Sequence, residues 1–242
     1  MRVSITAQSN SFDCITSEIS EMEIVNQAIR ESIIISCFTN INIKQMSQKH
    51  SYTTAEYLNW DVAMNLVRRL YKDGDYRMSL MVGCGCFFGL RISDLLALRW
   101  SQILNVDKFT IIEKKTGKRR EISINSGFRE HITDCYNALN VLDADTHCFL
   151  NRYGGVISIQ MINRKFKAIR SMYRLPIQNF SSHTLRKTFS RRVWENENAQ
   201  GRGEQSLVVL SELLNHSSVA ITRRYIGLRQ EELGEVYQTL QF

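Results

Sequence analysis

The chain has 242 residues, 43% of them hydrophobic and 23% charged, with a formal net charge of +7. That length accommodates one large domain or two small ones around a sizeable core. With no apolar run long enough for a bilayer, and no basic stretch leading into an apolar one at the start, neither a membrane span nor a secretory signal is expected. The charge is uneven: residues 1–50 carry four Lys/Arg against five Asp/Glu, whereas residues 160–230 carry 13 against 4. A basic second half favours a polyanionic partner, most commonly nucleic acid, with a merely basic surface as the bland alternative. Six cysteines (Cys14, Cys37, Cys84, Cys86, Cys135, Cys148) without a leader read as reduced thiols in a cytosol. Cys84 and Cys86 lie in the apolar run MVGCGCFFG with no second pair at zinc spacing, and read as core.

In chain order, residues 1–50 say least. Ile19, Met22, Val25, Ile29 and Ile33 recur at helical spacing, so one amphipathic helix is expected, followed by an extended stretch and a boundary near Ser51. Thr53-Thr54-Ala55-Glu56 has the form of a capping box and predicts a helix over 54–72 with Leu58, Val62, Leu66 and Leu70 on its apolar face. The next helix, 76–88, is apolar on nearly all sides and should be central; Gly89 is its stop signal. Arg91 opens a short helix, RISDLLALRW. Arg91 and Asp94 are three apart and share a face. An arginine between apolar helices is partly desolvated and seeks an anion; a structural Arg91–Asp94 ion pair is the alternative.

Residues 108–113 and 119–124 alternate as strands around a basic turn, KKTGK, with Gly117 at its tip. A hairpin with such a tip can reach a nucleic-acid backbone or simply be a solvated turn. Helices are expected over 127–140 and 158–173, with a short strand at 148–150 between them. The polar side of the second holds Arg164, Lys165, Lys167 and Arg170, suited to phosphates or to solvent. A helix over 184–195, capped near Ser182 or His183, carries His183 and Arg186 at its N-terminus, where backbone N–H groups favour an anion. Then come a helix over 206–214 ending at Asn215, and one capped by Ser217 or Ser218 that carries Arg223, Arg224 and Tyr225. A terminal helix over 230–240 has Leu233, Val236, Tyr237 and Leu240 on one side.

GLRISDLLALRW, the KKTGK hairpin, HTLRK and LLNHSSVAITRRY, in that order, resemble the tyrosine recombinase (phage integrase) family over about residues 54–242. Any one motif is weak; the ordered set Arg, Lys, His-x-x-Arg, His-x8-Tyr is specific. The resemblance implies a mainly α fold with a small antiparallel β-sheet that clasps double-stranded DNA, in the style of bacterial mobile-element and transposon integrases. It implies a cytoplasmic, nucleoid-associated enzyme needing no cofactor and no metal. It makes Tyr225 the nucleophile that forms a 3′-phosphotyrosyl link and releases a 5′-hydroxyl. Arg91 and Arg186 would bind the non-bridging oxygens, and Lys115 (or Lys114) would protonate the leaving oxygen. His183 and His216 would serve as proton acceptor and hydrogen-bond donor, with Asp94 supporting the site. Lys114, Lys118, Arg164, Lys165, Lys167, Arg170, Arg223 and Arg224 would touch DNA. The terminal helix would dock on a neighbouring protomer of a homotetramer. Members usually carry about a hundred residues of N-terminal clamp, so the slightly acidic residues 1–50 read as a remnant or truncated core-binding region.

The chemistry agrees. Phosphoryl transfer gathers negative charge on equatorial oxygens, which positioned cations stabilise. Arginine suits this by binding oxygens bidentately and staying charged. A tyrosine, with an ordinary pKa of about 10, needs a base or cations to attack at neutral pH. Two rivals remain: a type IB topoisomerase, which would relax plasmid without joining pairs of sites, and a DNA-binding protein that kept the fold and lost the chemistry.

Overall fold

A computed structural model describes residues 56–239, which belong to one compact unit. The helix expected within residues 17–37, the boundary near Ser51 and Leu240 lie outside the described residues. Ten helices and one hairpin are described: α1 (Trp60–Lys72), α2 (Tyr76–Phe88), α3 (Ile92–Leu95), α4 (Trp100–Ile103), β1 (Lys108–Ile112), β2 (Arg119–Ser123), α5 (Ser126–Ala138), α6 (Ile159–Met172), α7 (Ser182–Asn198), α8 (Gly203–Leu214), α9 (Val219–Tyr225) and α10 (Leu228–Gln238). This is the expected mainly α fold with a small antiparallel sheet.

α1 begins at Trp60, not at 54. Asn59 caps it, accepting from the Asp61 N–H at 2.9 Å, while Glu56 turns away to accept the backbone N–H of Gln178. α2 is buried along nearly its whole length, as its sequence demands, with α1, α5 and α7 around it. Cys84 and Cys86 are core residues there; burial pushes the Cys86 thiol up to about 12. Gly85 and Gly89, one turn apart, face Leu185 and Phe189, one turn apart on α7. A Cβ on Gly85 would sit 2.5 Å from Leu185, and one on Gly89 2.2 Å from Phe189. Gly89 also ends α2 in the left-handed region at φ 58°. These two glycines bring α7 against the end of α2.

The expected single helix RISDLLALRW is instead two turns, α3 and α4. Between them the chain pairs with a later segment: Cys148 donates to the Leu98 carbonyl (2.9 Å) and Trp100 to that of Thr146 (3.2 Å). Buried Leu96 and Leu98 anchor that pairing, which competes with helix. The strand expected at 148–150 forms only an isolated bridge, Leu150 to Val156. β1 and β2 pair antiparallel with Phe109 opposite Ile122, and the ladder ends at Ile112–Arg119, leaving 113–118 as the turn. Ser158 caps α6, Ser218 caps α9, and Asn215 stops α8 at φ 55°. Leu207, Ile226 and Leu228 form a second, smaller core with Trp194, Val219 and Tyr225 against it.

Candidate active site

Two arginines meet at the end of α8. Arg91, extended and just past Gly89, donates Nη2 to the Leu214 carbonyl at 3.2 Å; Arg186, from the first turns of α7, donates its own Nη2 to the same carbonyl at 3.2 Å. The last carbonyls of a helix lack intrahelical partners and carry its negative end, so two guanidinium groups can gather there. Arg186, 5% exposed, also donates Nη1 to the Gly89 carbonyl at 2.5 Å. The close approach of α7 to Gly85 and Gly89 makes that contact possible.

No Arg91–Asp94 pair forms. Arg91 Nη1 meets Glu113 Oε2 at 2.5 Å, and Asp94 Oδ1 accepts the Lys114 N–H at 2.9 Å. Asp94 therefore supports the hairpin turn. Glu113 is 3% exposed, takes the Thr116 hydroxyl at 2.9 Å on the same Oε2, and lies 3.8 Å from Arg120. Burial works to raise its pKa, but the bonds from Thr116 and Arg91 outweigh it and hold the carboxyl below its ordinary value. Burial lowers Arg120 to about 10, with the Arg186 charge adding to the effect. Neither Glu113 nor Arg120 was singled out from the sequence, yet a signal existed. Phe109, Ile111 and Glu113 share one strand parity, as do Arg120, Ile122 and Ile124, and the apolar members point inward. A charge at an inward position is a paired charge.

Tyr225 ends α9 edge-on to His216, ring centroids 5.1 Å apart, with Lys187 Nζ 5.1 Å from the tyrosine ring centroid. His216 Nδ1 lies 3.0 Å from Oγ1 of the fully buried Thr222, which fixes the imidazole on α9. Burial raises the Tyr225 pKa, and the Arg186 and Arg91 charges offset it only in part, so the group is a neutral phenol at neutral pH. Burial, then Arg186 and Arg91, lower His216; partial burial, then Arg186, Lys187 and Lys115, lower His183. Both imidazoles are thus neutral at pH 7. The two hairpin lysines have different neighbours: Lys115 is among the charges that lower His183, after burial, Arg186 and Lys187, whereas Lys114 lines a cleft with His147. Lys187 and Thr222 were not assigned roles from sequence; each sits inside a quoted motif, but only the fold shows what it touches.

The remaining basic residues divide. Arg164, Lys167, Arg224, Lys114 and Lys118 are exposed and Lys165 is half-buried. Arg170 instead donates Nε to the Ile177 carbonyl at 2.5 Å, tying down the loop after α6. Arg223 pairs with Glu204 and Glu232, linking α8, α9 and α10. On α10, Leu233, Val236 and Tyr237 are exposed. Among the described residues no group of three or more His, Cys, Asp or Glu side chains could hold a metal ion, and no helix is long and apolar enough to cross a membrane.

A family model described as the phage integrase family matches residues 56–232. The chain is 31% identical over 162 residues to tyrosine recombinase XerC of Agrobacterium fabrum (strain C58 / ATCC 33970), a match spanning 66% of this chain and 47% of that protein. It therefore spans about half the length of this curated relative. The fold is similar to the crystal structure of XerA recombinase (TM-score 0.58, 22% identity, 79% of this chain and 68% of that one). It is also similar to XerH site-specific recombinase in its post-cleavage complex with palindromic difH substrate (TM-score 0.56, 19% identity, 83% and 58%).

Proposed function

The chain belongs to the phage integrase family, and from that premise we propose that it carries out site-specific recombination on double-stranded DNA by tyrosine-mediated cleavage and rejoining. The observation that carries this reading is the convergence of Arg91 and Arg186 on one carbonyl oxygen beside the Tyr225–His216 pair. Each guanidinium has five N–H donors and uses two in the contacts described, so both can grip a phosphate without leaving their scaffold. Tyr225 Oη attacks the scissile phosphorus and its proton passes to His183, which is neutral and able to accept it. Arg91, Arg186 and His216 stabilise the charge on the non-bridging oxygens. The bond to the 5′-oxygen breaks as Lys115 gives that oxygen a proton. A 3′-phosphotyrosyl link and a free 5′-hydroxyl result. Attack by a 5′-hydroxyl on that link reverses every transfer and rejoins the strand without an external energy source.

Arg164, Lys165, Lys167, Arg224, Lys114 and Lys118 are the side chains we assign to DNA. The exposed Leu233, Val236 and Tyr237 are the surface by which protomers assemble into a tetramer on it. The similarity to tyrosine recombinase XerC of Agrobacterium fabrum favours a bacterial protein, and we read its motifs as those of a mobile-element integrase. The test is covalent trapping: the protein is incubated with a pool of labelled duplexes of randomised sequence, nicked so that the cleaved end diffuses away, and run on a denaturing gel. A labelled protein adduct, absent with Tyr225→Phe while DNA binding persists, is expected. An undiminished adduct in that variant would overturn the assignment.

A further inference from the structure

A carboxylate beside two phosphate-gripping arginines calls for a reason. Glu113 is 3% exposed, and an anion there weakens the field that a phosphate would feel. A site that needed only to collect cations would be better served by a neutral side chain. What Glu113 does is join two pieces. Its Oε2 accepts Arg91 Nη1 at 2.5 Å and the Thr116 hydroxyl at 2.9 Å, so one oxygen links the Arg91 segment to the residue directly after Lys115. On the other flank, Asp94 of α3 holds the N–H of Lys114, directly before Lys115, at 2.9 Å. The Glu113 carbonyl also takes the Gly117 N–H at 2.8 Å, closing the turn on itself. Lys115 is thus bracketed by two buried carboxylates, while its own side chain stays exposed.

We propose that Glu113 is a positioning residue: its Oε2 ties the Arg91 guanidinium to the turn that carries Lys115, so that the phosphate grip and the leaving-group acid are held in one register. The inference rests on the roles given above to Arg91 and Lys115. A misplacement of about 1 Å can lower a rate about a hundredfold, which is the scale at issue.

The tether has a readout that needs no DNA. Trypsin cuts after lysine, and the bonds following Lys114, Lys115 and Lys118 lie in the exposed turn. In the full chain, Glu113→Gln and Thr116→Val should each be cut there about tenfold faster than wild type, with Thr116→Ser close to wild type. Thr116 is half-buried at a turn, so its variants keep the fold even where Glu113→Gln is too damaging. The catalytic readout uses the duplex selected by wild-type adduct formation, resynthesised with oxygen or sulfur at the 5′-bridging position. A thiolate leaves without an acid. Thr116→Val cuts only the turn side of the tether. It should slow adduct formation on the oxygen duplex by about tenfold to a hundredfold, and by no more than about threefold on the sulfur duplex. Glu113→Gln, which also loosens Arg91, should be only partly restored by sulfur. Equal losses on oxygen and sulfur for Thr116→Val, or unchanged digestion and cleavage in both variants, would overturn the proposal. Faster digestion of the turn with no adduct from wild type would instead sink the recombinase chemistry and leave the tether standing as a structural contact.

Discussion

The site is built from two halves held in different ways. The arginine half is part of the main core. Arg186, Asp94 and Glu113 are 5%, 5% and 3% exposed, and Arg91 and Arg186 are fixed by backbone carbonyls that cannot move without moving helices. The tyrosine half hangs on seven-residue α9, over the small core of Leu207, Ile226 and Leu228, with the Arg223 pairs to Glu204 and Glu232 on its outside. Groups that must meet a phosphate in fixed geometry gain from rigid surroundings. A segment with few buried apolar contacts opens at lower free energy. Leu214 joins the halves: its carbonyl accepts from both arginines, and two residues on the His216 N–H closes the end of α8 on the Ser211 carbonyl at 2.8 Å.

Substitutions can break this contrast from either side. The largest effect is expected from Arg186→Ala, which removes one of the two arginines proposed to hold the phosphate and leaves the Gly89 carbonyl without that partner. Adduct formation on nicked duplexes should fall by about a thousandfold, and urea unfolding should show a loss of about 3 kcal/mol. Next is Gly89→Ala, expected to cost about 3 kcal/mol in the same assay. The left-handed conformation accounts for about 1–2 of this, and the clash with Phe189 for the rest. Ile226→Ala removes a large buried side chain, ordinarily worth about 2–5 kcal/mol. Here the loss should appear as faster hydrogen exchange over residues 218–228, with α2 amides unchanged. If α2 loses protection equally, the two halves are one cooperative unit and the contrast fails.

Smaller effects sharpen the picture. Arg223→Ala should cost about 1 kcal/mol or less and lose even that in about 1 M salt, since its partners are substantially exposed. The pH profile is the mildest test. His183 and His216 both have pKa values lowered below the ordinary 6.5, so each is more than half neutral at that pH and reaches half-protonation only beneath it. Adduct formation should therefore decline towards acid with its midpoint below pH 6.5. A decline already centred above pH 7 would mean that the accepting base is another group.

Most of this fold could be read from local pattern. The all-apolar α2, the Gly89 stop, the hairpin about Gly117 and the Ser158, Ser218 and Asn215 helix ends each follow from residues within one turn. What was not legible depends on partners far along the chain. RISDLLALRW splits because residues 146–148 pair with it. Arg170 and Arg223 look like a free basic face until the Ile177 carbonyl and the Glu204 and Glu232 carboxylates arrive from elsewhere. Arg91 and Asp94 look like partners because they are three apart, yet each is claimed by the hairpin. Glu113 is the instructive case: it shares the inward parity of Phe109 and Ile111, but no motif marks it.

The claim on which all else turns is that Tyr225 carries the cleaved strand. The direct measurement is to isolate the trapped protein–DNA adduct, trim the DNA with nucleases, digest the protein and locate the residual nucleotide by mass spectrometry. A phosphodiester-linked nucleotide is expected on the peptide containing Tyr225, attached through the phenolic oxygen. A nucleotide on any other residue, or strand cleavage with no nucleotide attached to protein, would contradict it.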